Sequence, residues 1–253
     1  VVENYGNVTV SAAATAIGVY VNDELLNQGI IDVESTEAMA SGVFFFNGGT
    51  FTNTHQIYVT GVDAVGISAD RFSDVLENSG DIVVEATGSG SESIGIQLVS
   101  MDVLPPISII NSGTISADIA IDAPNVFSNQ TNGIQLVENS GTITGDVRLR
   151  KGDDQIDNTG GVINGQVELG EGDDYVNNSL GIINGDVGLG DGNDTIEGGG
   201  GVEIINGGDG MDTASYSSSL AAVYVSLLTG GSAGDAEGDS FISVENLIGS
   251  AFA

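Results

Sequence analysis

The chain has 253 residues, 36 of them acidic and only 4 basic, giving a formal net charge of −32, with 40% apolar residues, no cysteine and one histidine. Such a charge excludes a nucleic-acid binder, which needs a basic surface for phosphates, and the lack of cysteine excludes a disulfide scaffold and leaves zinc without its usual ligands. The apolar content and a mean hydropathy of +0.16 exclude a disordered acidic polymer, no run approaches the length of a membrane span, and no basic segment precedes an apolar stretch as in an N-terminal signal.

Residues 1–141 repeat loosely. An NxGxI kernel recurs in NQGIIDV at Asn27, NGGTFTN at Asn47, NSGDIVV at Asn78, NSGTISA at Asn111 and NSGTITG at Asn139. Between these lies a strand kernel with GI or GV: IGVYV at Ile17, SGVFFF at Ser41, VGISA at Val65, IGIQLV at Ile94 and NGIQLV at Asn132. Intervals of roughly 20 to 38 residues predict large coils of a parallel β-helix, some carrying loops. Asn followed closely by Gly supplies the left-handed backbone of a corner, and stacked Asn side chains hydrogen-bond along the axis. The kernel is similar to those of passenger and adhesin β-helices on bacterial surfaces. His55, in TNTHQIYV, is expected on a surface strand, and the aromatic run Phe44 to Phe46 is expected to expose at least one ring.

From residue 142 to 215 the repeat tightens. Ile143, Ile163 and Ile183 align at an interval of 20 residues, as do Gly145, Gly165 and Gly185, then Val147, Val167 and Val187, then Leu149, Leu169 and Leu189. In phase with them run Gly152, Gly172 and Gly192, then Asp154, Asp174 and Asp194, and finally Ile156, Val176 and Ile196. Alternating apolar positions either side of a Gly-rich turn make each unit one coil of a parallel β-solenoid. Coils stack about 4.8 Å apart, so equivalent residues become neighbours. A bare row of Asp154, Asp174, Asp194 and Asp212 is then strongly repulsive, and a cation between rungs reverses the sign. Calcium suits the position because it takes six to eight oxygens in flexible geometry, backbone carbonyls included, whereas magnesium keeps its water and a strict octahedron. The lone His55 lies far from these turns.

The turns LRKGDDQID, LGEGDDYVN, LGDGNDTIE and GGDGMDTAS resemble the GGxGxDxUx nonapeptide of the RTX, or haemolysin-type, calcium-binding repeat family. Gly207 to Ser215 matches every defining position, with Ala214 as the apolar residue; Leu149, Leu169 and Leu189 replace the first Gly elsewhere, and Arg150 and Lys151 make the first turn the weakest. The resemblance implies calcium shared between turns and held by Gly152 and Asp154, by Gly170, Gly172 and Asp174, by Gly190, Gly192 and Asp194, and by Gly208, Gly210 and Asp212. Asp153, Asp173, Asp191, Asn193 and Asp209 would face solvent or support these ligands. A family β-roll carries calcium on both edges, whereas here the other edge carries the ING turns at Asn164 and Asn184, so a single row is expected.

Residues 216–253 resemble the spacer between calcium blocks of large RTX exoproteins, with an alternating strand (Val223, Val225, Leu227), an acidic turn (Asp235, Glu237, Asp239) and a closing ENLIGS. With Val1 in place of an initiator Met and a stop at Ala253 where another block would follow, the chain reads as a piece of a longer protein. The whole is expected to be all-β: a right-handed parallel β-solenoid in which a loopy β-helix leads into an RTX-type β-roll, about ten coils in one stack.

The expected function is structural. Calcium drives folding and rigidity outside the cell, in a protein secreted by the type I route or displayed on a bacterial surface, for adhesion to a glycan or for self-assembly. Arg148, Arg150 and Lys151, three of the four bases, are expected to neutralise the acidic row locally. The alternative is part of a calcium-dependent polysaccharide lyase or epimerase built on a β-helix. Its catalytic groups find no match: no HExxH, GxSxG or Cys/His pair appears, cations are almost absent, and the acids fall on periodic turns.

Overall fold

A computed structural model describes residues 1–45, 49–70, 75–100, 106–123 and 133–252. Each coil contributes up to three short strands, and parallel pairing with the next coil builds a right-handed parallel β-solenoid. Among the described residues one sheet holds 11 strands, from Val2–Asn4 through Leu25–Asn27, Phe51–Asn53 and Val75–Asn78 to Thr213–Ser215 and Asn246–Ile248. A second sheet of 17 strands wraps the other two faces.

Three columns of inward side chains, one per face, run through the core, flanked by further buried residues such as Val33, Val59 and Val84 and Leu149, Leu169 and Leu189. On the first, Leu25, Phe51, Leu76, Ile109, Val137, Ile156, Val176, Ile196, Ala214 and Leu247 are paired rung by rung. The second runs Val8, Ile31, Ile57, Ile82, Ile115, Ile143, Ile163 and Ile183. The third runs Val19, Val43, Ile67, Ile96, Ile121, Val147, Val167, Val187 and Ile205. β-branched residues dominate because their stiff side chains pack well on a pleated surface, and each fully buried one contributes about 2–3 kcal/mol. The GI and GV kernels have a packing cause. A Cβ on Gly42 would lie 2.7 Å from the carbonyl oxygen of Gly66 and 2.8 Å from a methyl of Val59, so only glycine lets the faces close.

Asparagine closes one corner. Each side-chain Nδ2 donates to the Oδ1 of the next coil: Asn4 to Asn27 at 2.8 Å, Asn27 to Asn53 at 2.7 Å, Asn53 to Asn78 at 2.7 Å and Asn78 to Asn111 at 2.8 Å. The column continues from Asn111 to Asn139 at 2.8 Å, to Asn158 at 2.7 Å and to Asn178 at 2.8 Å. Asn53 is therefore the corner residue of its coil, and Asn47, named with the kernel above, lies outside the described residues. At the next rung the position falls to Gly198, against which the buried Tyr216 ring packs.

His55 sits exposed in the bend between Phe51–Asn53 and Gln56–Gly61, one residue short of the strand expected for it. Phe44 is half-buried and stacks on the exposed Tyr20, with ring centroids 5.4 Å apart; Phe45 packs edge-on against Phe51; Phe46 lies outside the described residues. The last segment forms an antiparallel hairpin, Tyr224–Ser226 with Gly230–Ala233, and then returns to the stack. Ser240–Ile242 pairs with the 204–206 rung and Asn246–Ile248 with the 213–215 rung.

Replacing a mid-column asparagine orphans a buried donor above and a buried acceptor below, at about 1–3 kcal/mol each. Asn111→Ala is expected to cost about 2–4 kcal/mol in a denaturant melt, and Asn4→Ala, at the half-buried end of the column, under about 1 kcal/mol. Equal costs would mean that the column is not the source of the stability.

Candidate metal centre

A second corner is built by the Gly-rich turns. Gly152, Gly170, Gly172, Gly190, Gly192, Gly208 and Gly210 all hold positive φ, from 102° to 148°, a region that favours glycine. A Cβ on Gly172 would fall 1.7 Å from the carbonyl oxygen of Gly152, and one on Gly192 the same distance from that of Gly172. Carbonyls of one turn thus lean along the axis against the bare Cα of the next.

Each turn delivers one aspartate to the same place. Asp154, Asp174, Asp194 and Asp212 are buried, at 3% exposure or less. One carboxylate oxygen of each accepts the backbone N–H of the rung before: Asp174 Oδ1 from Asp154 at 2.7 Å, Asp194 Oδ1 from Asp174 at 2.7 Å, and Asp212 Oδ1 from Asp194 at 2.9 Å. The other oxygen, Oδ2, is buried in all four and has no hydrogen-bond partner.

Two residues outside the repeat close the column. The backbone N–H of Gln135 donates to Asp154 Oδ1 at 2.8 Å, and Glu245 Oε2 accepts from the Asp212 N–H at 2.9 Å. Glu245 was hidden by its 33-residue offset, although Glu245-Asn246-Leu247 repeats the acid, polar, apolar order of Asp212-Thr213-Ala214 with which it stays in register.

Electrostatics make this column untenable as four bare anions. Like charges one rung apart repel by about 3 kcal/mol at an effective dielectric near 20, so three adjacent pairs approach the whole stability of a typical domain. Burial, reinforced by the neighbouring carboxylates, pushes Asp154 up to about 8, Asp174 to about 7 and Asp194 to about 6, and raises Asp212 as well. The backbone N–H bond to each offsets only part of that.

The donor set fits calcium. It consists of hard oxygens, half of the carboxylate capacity is unused, and the rung spacing of about 4.8 Å is about twice a calcium–oxygen distance of about 2.4 Å. Among the described residues no three carboxylate, imidazole or thiolate side chains surround one point, so an ion here would draw on two rungs and on turn carbonyls.

The first turn differs. Arg150 takes φ 80° where the later turns have glycine, and the three bases lie against acids: Arg148 with Asp146 at 2.8 Å, Arg150 with Asp122 at 3.4 Å and Lys151 with Glu171 at 2.6 Å. Asp153, Asp173, Asp191, Asn193 and Asp209 are exposed; the Asp173 N–H donates to Asp153 at 3.0 Å and the Asn193 N–H to Asp173 at 2.8 Å.

No protein-family model, no curated protein and no solved structure matches this chain.

Without a cation, only protons relieve the column. Folded-state values raised above the ordinary carboxylate range mean stability that is fully present below about pH 4 and lost as pH rises through about 6 to 8. In chelator, the melting temperature is expected to fall from pH 5 to pH 8, and the double variant Asp154→Asn, Asp174→Asn to show a flatter profile. A wild-type melting temperature that climbs across that window would contradict this account.

Proposed function

We propose that the chain is a calcium-binding structural module of an RTX-type protein, folding and stiffening on extracellular calcium and serving adhesion or surface assembly at a bacterial cell exterior. What supports the reading above all is the row of buried, partnerless Oδ2 atoms on Asp154, Asp174, Asp194 and Asp212. Half-used carboxylates stacked one rung apart need positive charge, and among the described residues no cationic side chain pairs with them: Arg150 is held by Asp122 and Lys151 by Glu171. Bound calcium would supply it, with these aspartates and the carbonyls of the turns at Gly152, Gly170, Gly172, Gly190, Gly192, Gly208 and Gly210 as the oxygens in reach.

The net charge of −32 adds to this. Self-repulsion favours an expanded chain where calcium is scarce, and mass action favours the compact coil stack where it is plentiful. Such a module is a spacer or display rod, whose repetitive faces carry other functions at a fixed distance.

Calcium titrations followed by circular dichroism test the shared-ion arrangement. Asp174→Ala and Asp194→Ala each remove an acid with an aspartate on both sides, and each is expected to raise the calcium midpoint of folding several-fold. Asp154→Ala, beside Gln135 and the basic first turn, is expected to raise it less. Equal, negligible shifts in all three would rule the shared ions out.

A further inference from the structure

The third corner of the coil carries glycine in the regular repeats and acids at its last two rungs. Register places Gly145, Gly165, Gly185, Glu203 and Asp239 in one column, two positions before Val147, Val167, Val187, Ile205 and Phe241. Both acids are buried, Glu203 at 3% exposure and Asp239 at 2%. They reproduce the arrangement of the aspartate corner: Asp239 Oδ1 accepts the Glu203 backbone N–H at 3.0 Å. The other oxygen of Asp239 accepts from the Tyr216 hydroxyl, and the Glu203 and Asp239 side chains lie within hydrogen-bonding reach of each other.

One oxygen is left over. Glu203 Oε1 is buried with no hydrogen-bond partner. It points at Gly201, where a Cβ would lie 2.3 Å from Glu203 Oε1 and 2.4 Å from the carbonyl oxygen of Ile183. Two oxygens therefore converge on the space left by the missing side chain of Gly201, which holds φ 142°. Burial, and then the Asp239 carboxyl, push Glu203 up to about 10, so the pair is not stable as two bare anions. Among the described residues no basic side chain answers them: Arg148, Arg150 and Lys151 lie coils away, on the rung paired with Glu168 to Glu171.

We infer that Glu203 and Asp239, with the carbonyl oxygen of Ile183, form a binding site for a calcium-sized divalent cation at a corner separate from the aspartate column. The oxygens are hard donors from three chain segments, and the site joins the 216–253 segment to the last regular coils. Tyr216 touches it through Asp239, which gives it a built-in reporter, because the chain has no tryptophan to compete.

Terbium(III), a luminescent substitute for calcium, is the probe, with the full 253-residue chain and tyrosine excitation. Tyr175 follows Asp174 and reports the aspartate column; Tyr216 reports the Glu203 corner. Wild type is expected to show calcium-displaceable emission with separate components lost in Tyr175→Phe and in Tyr216→Phe. Glu203→Gln, which keeps the shape and removes the charge, is expected to abolish the Tyr216 component and spare the Tyr175 component, with unchanged circular dichroism in calcium. Gly201→Ala, which fills the cradle, is expected to do the same. Should Glu203→Gln misfold, calcium stoichiometry of wild type against Asp239→Asn by calorimetry decides, with a loss of one ion expected. A wild type without the Tyr216 component, or a component that survives Glu203→Gln, overturns this site and leaves the aspartate column untouched; loss of the Tyr175 component alone overturns the column and leaves this site.

Discussion

The strand spacing of the stack, about 4.8 Å, forces every side chain at a corner to live with copies of itself, and the chemistry of the residue decides whether that is tolerable. Asparagine carries a donor and an acceptor, so a column of it satisfies itself: each amide gives to the next and takes from the last. Ionised aspartate is an acceptor only. Its column borrows one backbone N–H per rung and leaves an oxygen over, with charge attached. The same architecture thus holds one corner whose side chains satisfy one another and another whose carboxylates are left half-used.

How basic residues are spent follows from this. Arg148, Arg150 and Lys151 cluster at the first tight coil, where the glycine pattern is imperfect and where a partner ion would find fewer ligands, and there they lie against Asp146, Asp122 and Glu171. Later turns, with glycine at every position that needs positive φ, have no such residues. The chain thus changes within a single repeat from turns lined by side-chain cations to turns lined by glycine.

Much of this was legible in the residues where coils have equal length. The strict 20-residue phase of Ile143, Val147, Leu149 and Asp154 survives to the structure as in-register pairing, because no loop interrupts it. Where coils vary, phase is lost: the corner at Asn53 was not legible, because Thr54 and His55 follow it where the other corners have a Gly. The ends of the aspartate column were hidden for the same reason. Gln135 and Glu245 reach it across intervals of 19 and 33 residues and through contacts that only folding creates. Asp239 read as one acid of an acidic turn and is buried, since the return strand that follows it pairs with the last regular coil.

Both polar columns run in one sense: the upstream coil gives the hydrogen and the downstream coil receives it. The two broken ends of such a stack are therefore chemically unlike. Within these two columns, peeling coils away from the downstream side strips acceptors from hydrogens that were inside, whereas peeling from the upstream side bares only oxygens, which solvent serves readily. The solenoid has a grain, and erosion by a protease or by mechanical load meets different resistance along it than against it.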